Sequence, residues 1–102
     1  MANTFKNETA SGVGTTPTTV YTVPSATSTV TIGLTVANVE TTQIKVDVQA
    51  AGVYVVKDVP IPAGSSLSVL AGKIVLEATD TVVVTSDTAA SADVILSILE
   101  QT

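Results

Sequence analysis

The sequence predicts an all-β protein: an antiparallel β-sandwich of jelly-roll or immunoglobulin-like type, with about eight short strands and an extended N-terminal arm. Three observations predict it. Thr and Val, 18 of each among 102 residues, supply over a third of the chain, and β-branched side chains pack well on a pleated surface while losing χ1 freedom in a helix. Apolar and polar residues alternate with period two in several short runs. Turn-forming residues separate those runs at close intervals.

In chain order, residues 1–17 are rich in Thr, Gly, Asn and Ser. With only Phe5 and Val13 to bury, they read as an arm or an edge strand. Residues 18–102 form a single β-sandwich domain. Its first strand covers 18–23 and stops at Pro24-Ser25. In 28–37, Val30, Ile32, Leu34 and Val36 are expected to face the core, with Thr29, Thr31, Gly33 and Thr35 facing water. The run 42–49 repeats the pattern, with Ile44, Val46 and Val48 alternating against Lys45, Asp47 and Gln49. A one-residue slip there would bury Lys45 and Asp47, so the register is well specified.

After the Ala51-Gly52 turn, 53–59 is a strand that Pro60-Ile61-Pro62 brings to an end. Two prolines remove two ladder donors and fix an extended path, which suits the rim of a sheet. Ile61 between them points either into the core or towards a partner. Strands over 66–70, 73–77 and 81–86 follow, parted by Ala71-Gly72 and Thr79-Asp80. The last element, 92–99, is expected to be a strand with Val94, Leu96 and Ile98 on one face. A short helix over 91–100 also fits, because Val94, Ile95, Ile98 and Leu99 sit at helical spacing behind a Ser91 cap.

Composition excludes most chemistry. The chain has no His and no Cys, so it lacks an imidazole base, a thiolate nucleophile and the usual zinc or copper ligands. Four Lys, no Arg and a net charge of −5 leave no basic footprint for nucleic acid or anionic lipid. No apolar run approaches the length of a membrane helix, and Met1 to Glu8 lacks the apolar stretch of a secretory signal. Asp80, Asp87 and Asp93 fall at or near turns, where Asp accepts backbone hydrogen bonds. Sugar cleavage would need two facing carboxylates in an aromatic cleft, yet Phe5, Tyr21 and Tyr54 are the only aromatics. Gly12-Val13-Gly14 is followed by neither a GxGxxG nor a helix start, and Ser65-Ser66 has no activating base. Calcium needs only oxygen ligands, but no Asp-x-Asp-x-Asp-Gly run is present. The expectation is a protein that is not an enzyme and has no cofactor or metal. Its few charges guard strand edges poorly, which favours an assembly.

Several stretches carry a resemblance: Gly14-Thr15-Thr16-Pro17-Thr18-Thr19-Val20-Tyr21-Thr22-Val23-Pro24, Ile32-Gly33-Leu34-Thr35-Val36-Ala37-Asn38, Lys57-Asp58-Val59-Pro60-Ile61-Pro62-Ala63-Gly64-Ser65-Ser66-Leu67 and Leu76-Glu77-Ala78-Thr79-Asp80. Together they resemble the small virion structural proteins of tailed bacteriophages, particularly marine and cyanobacterial ones. Where such a relative would commonly have Gly before the aspartate, this chain has Thr79. The resemblance implies a β-sandwich present in many copies in the virion, after synthesis in the host cytoplasm. A capsid decoration, or cement, protein would bind the outer surface of the major capsid protein as a trimer or dimer. A neck, collar or tail accessory protein would sit at the head-to-tail junction instead. The residues expected at a partner surface are Phe5, Val13, Tyr21, Tyr54 and Ile61, with 1–13 crossing to a neighbouring subunit as an added strand. A carbohydrate-binding or adhesin module, using Tyr21 or Tyr54 as its platform, is the alternative from a different class.

Overall fold

A computed structural model describes residues 2–69 and 73–102. They form nine strands and no helix: β1 (Asn3–Val13), β2 (Thr18–Thr22), β3 (Ser28–Asn38), β4 (Ile44–Ala50), β5 (Val53–Ile61), β6 (Ser66–Ser68), β7 (Ile74–Leu76), β8 (Thr81–Ser86) and β9 (Ala92–Gln101). Pairing is nested and antiparallel throughout. β1 pairs β9, β2 pairs β8, β3 pairs both β6 and β7, and β4 pairs β5, as in one long hairpin rolled on itself. Further ladders from β3 to β9 and from β4 to β8 close the roll into two sheets. Their orders are β1-β9-β3-β6, with β7 also on β3, and β2-β8-β4-β5. That order is the jelly roll, one of the two sandwiches the sequence allows.

The inward faces are built as the alternation in the later strands requires. Ile44, Val46 and Val48 of β4 meet Val94, Leu96 and Ile98 of β9 in a core of fully buried aliphatic side chains. Residues 92–101 are a strand, and the helical alternative is set aside. Here period two wins because β9 lies between β1 and β3 and bonds to both. Ala51 and Gly52 both have positive φ, 53° and 80°, which is the type I′ hairpin whose twist matches the strands it joins. The strand expectation at Leu70 and the Ala71-Gly72 turn lie outside the described residues.

β3 departs from the expected facing. Opposite the adjacent residues Ser97 and Ile98 of β9 it places Gly33 and Thr31, so Ile32 is an extra, bulged residue. One inserted residue inverts the inside-outside parity. Leu34 and Val36 point inward as expected, but before the bulge Thr29 and Thr31 are buried while Val30 and Ile32 face outward. The buried hydroxyls are satisfied. Thr31 Oγ1 donates to the Ile74 carbonyl at 3.0 Å and accepts the Ile74 N–H at 2.9 Å.

At Glu77 to Asp80 the Asp80 N–H donates to the Glu77 carbonyl at 3.0 Å, and Thr79 is held at φ 71°. A positive φ at the third residue is the type II turn, which favours Gly. A β-branched residue is strained in that region. Thr79→Gly is therefore expected to raise stability by about 1 kcal/mol, the relief of strain exceeding the extra chain entropy. Thermal denaturation would read this as a rise of roughly 4–8 °C.

Of the two readings of the N-terminal segment, an arm or an edge strand, the structure has the edge strand, and 3–13 add to their own sheet rather than crossing to a neighbour. Residues 3–10 of β1 run in register against β9, and Ala2 and Thr102 exchange both backbone bonds. In an antiparallel pair such bonded positions alternate, so Asn3, Phe5, Asn7 and Thr9 turn their N–H and C=O groups to the open edge. Lys6 and Glu8 lie on the inward side of that edge, 3.7 Å apart, and inward-pointing charges guard against strand addition. The other edges are guarded too. β5 carries Pro60 and a bulge at Asp58 (φ 51°), β2 has five residues between Pro17 and Pro24, and β6 and β7 have three each. The faces, more than the edges, are therefore what the fold leaves open.

Candidate interaction surface

The outer faces of the two sheets differ in kind. On the four-stranded sheet β4 presents Lys45, Asp47 and Gln49, and β5 presents Tyr54 and Lys57. Lys57 Nζ lies 4.0 Å from Asp47 Oδ2 and 4.7 Å above the Tyr54 ring. That cation covers one face of the ring a sugar would stack on. The surface is polar and laced with opposite charges.

The five-stranded sheet carries an apolar row on its outer face. Phe5 of β1 is opposite Leu99 of β9, Leu99 is opposite Val30 of β3, and Val30 is opposite Val75 of β7. Because the four are in register they point the same way, across about 14 Å of sheet. Phe5 is 75% exposed and Val75 65% exposed. Ile32 and Ile95, also exposed, extend the patch along the strands. Beside Phe5 lies a shallow groove of about 220 Å³ lined by Phe5, Lys6, Asn7, Ile32, Ser97 and Ile98. In its floor Ser97 Oγ donates to Asn7 Oδ1 at 2.7 Å. Among the strand residues of this face the sole ionisable side chain is Asp93, whose Oδ1 accepts the Gly12 N–H at 3.0 Å. Lys73 and Glu77 flank it at the ends of β7. A chain with nine carboxylates thus keeps this face nearly free of them.

Of the five residues expected at a partner surface, only Phe5 and Tyr54 are exposed, and they stand on opposite sheets. Val13, Tyr21 and Ile61 are corrected to the interior. Val13 closes the bulged end of β1, and Ile61 faces Ile44 across the β4–β5 ladder. Tyr21, 6% exposed, joins the two sheets. Its hydroxyl donates to Glu100 Oε2 at 2.5 Å, and Thr29 Oγ1 lies 2.8 Å away. With the phenolic proton committed to Glu100, Thr29 is the donor in the second bond. Lys6 Nζ stands 3.5 Å from the other oxygen of Glu100. Burial, then the bond to Glu100, push the Tyr21 hydroxyl up to about 12, while the Thr29 bond opposes them.

The turn aspartates are structural. Asp80 Oδ2 accepts the Glu77 N–H, and Asp87 Oδ1 accepts the Lys45 N–H and the Thr88 hydroxyl. The Lys45 bond is the main cause holding the Asp87 carboxyl below its ordinary range. Among the described residues no three Asp or Glu side chains gather as a metal site would require. Sequence reading placed Val30 in the core and named none of Val30, Val75, Ile95 and Leu99 as partner-surface residues, although the alternation of β9 turns Ile95 and Leu99 outward. Only the bulge at Ile32 and the register of β7 bring them into one row.

No model of a known protein family matches the chain, and no curated protein matches it. A solved structure from work on Bacillus endospore appendages, described as a novel family of disulfide-linked pili, is similar in fold. The superposition has a TM-score of 0.52 and 14% identity, covering 100% of this chain and 91% of that one.

Proposed function

We propose that this protein is a non-enzymatic structural subunit that works in many copies within a larger protein assembly. The carrying observation is the outer face of the five-stranded sheet, where exposed Phe5 and Val75 and half-buried Leu99 and Val30 form an apolar row with few charges around it. An apolar patch of this kind on a small domain is a mark of protein contact. The sequence resemblance to small phage virion proteins directs the reading to a capsid decoration protein that binds the major capsid protein and stabilises the head. A neck, collar or tail accessory protein is the alternative site in the same particle.

A second reading, a subunit of a fibre, is favoured by the full-length similarity to the endospore appendage protein. That family is described as disulfide-linked, whereas this chain has no cysteine. A fibre of these residues is not linked by their disulfides. The adhesin reading is the least supported, because Lys57 already covers the exposed tyrosine.

Quantitative mass spectrometry of purified virions, with electron microscopy of the isolated protein, separates these readings. Hundreds of copies per particle are expected for decoration, and about a dozen for a ring at the neck. Absence from particles together with filaments in the microscope would replace the virion reading by the fibre.

A further inference from the structure

We infer that the outer face of the five-stranded sheet docks on a second copy of this chain across a twofold axis, each Phe5 ring filling the groove beside Ile32 on the other. The inference rests on the structural-subunit reading and names the partner of that same face.

Charge is the first argument. The chain carries −5, so two copies repel wherever their acidic surfaces meet, and they approach at least cost through a face that carries almost no charge. A basic partner would be recognised by carboxylates, and this face offers Asp93, which already binds the Gly12 N–H, and at its rim Glu77, with Lys73 at the other end of β7. Shape is the second argument. An isologous interface needs a projection and its receptor on one surface. Here the 75% exposed Phe5 directly adjoins the groove between Ile32 and the Asn7 and Ser97 pair. An axis passing near Asn7 exchanges the two. Size is the third. The protein spans 45 × 20 × 19 Å, so a face along the long axis offers about 900 Å², against about 800 Å² per partner in a standard interface. Finally, the guarded edges leave face-to-face contact as the open route.

Sedimentation velocity of the intact protein, from low to high micromolar concentration, tests this. A species of twice 10.3 kDa is expected, and raising the salt should strengthen it, because screening reduces the repulsion between two acidic copies. Phe5→Asp and Val75→Asp should each weaken association by about tenfold or more. Val53→Asp, an exposed apolar position away from this face, should leave it unchanged. Circular dichroism and melting of each variant show that the fold is kept, and Val75→Asp serves if Phe5→Asp does not fold. A monomer at all concentrations, a trimer, a dimer that persists in both face variants, or one that salt dissociates would overturn the inference. A monomer that is nonetheless abundant in virions would overturn the dimer alone. A dimer missing from particles and filaments would overturn the assembly reading alone.

Discussion

Replacing Asn38 by Ala lowers stability by about 2–4 kcal/mol and the melting temperature by roughly 10–20 °C. Asn38 closes β3 and is buried. Its two Nδ2 protons are shared among the carbonyls of Thr42 at 2.8 Å, Ile61 at 2.9 Å and Pro62 at 3.2 Å, while its Oδ1 accepts the Glu40 N–H at 2.8 Å. Three carbonyls at one end and an N–H at the other fix which way the amide points. One side chain thereby ties the β3–β4 loop to the end of β5, and its own N–H adds a bond to Ser65. Alanine strands the buried Ile61 carbonyl away from water at the cost of an unmade bond, and it releases the Thr42 and Pro62 carbonyls on exposed residues to solvent. Asn38→Asp separates this from lost packing. At neutral pH a carboxylate cannot donate and faces carbonyl oxygens, so Asp is expected to be worse than Ala, and acid should partly restore it by returning one donor. Urea denaturation of the three proteins checks the order, and an Asp variant as stable as wild type would refute the account.

Stability should also fall by about 2–3 kcal/mol as the pH rises from 10 to 12, through Tyr21. The folded hydroxyl titrates at about 12 against 10.0 for the free group. Below pH 10 the phenol is neutral in both states, and its contribution is fully present. Above that the unfolded chain loses the proton first, so the contribution drains away until the folded group ionises as well. Tyr21→Phe keeps the ring and removes the titration, and is expected to flatten this slope while Thr29 and Glu100 lose their shared partner. The difference between wild type and Tyr21→Phe isolates this one hydroxyl and is the quantity to measure. Equal alkaline slopes in the two proteins would sink the assignment.

The sequence made the architecture legible where alternation was unbroken. Strand β8 begins and ends where turn residues put it, and β4 and β9 bury the faces their patterns mark, because each is a continuous ladder between two neighbours. It misled in β3, since a bulge leaves no trace in composition. Val30 and Ile32 look like core residues by type, yet they are surface residues by register. Tyr21 failed as a surface candidate for a related reason. Its partners Glu100 and Thr29 are distant in sequence, and only the rolled hairpin brings a carboxylate to a buried phenol. Ile61 resolved inward because Ile44 stands opposite it. Phe5 was named as a partner-surface residue and is exposed, but the row it belongs to was not legible, because its other three members come from β9, β3 and β7.

The pairing of β1 with β9, and of β9 with β3, sets the order in which the molecule can come into being. Strand β9 is the spacer between β1 and β3, and it is synthesised after the other eight strands. Until it arrives, those two strands have no ladder between them, and the five-stranded sheet does not exist. Contacts of such long sequence separation close slowly. The newborn chain therefore waits with its valine-rich strands unsheltered until β9 zips the sheet shut.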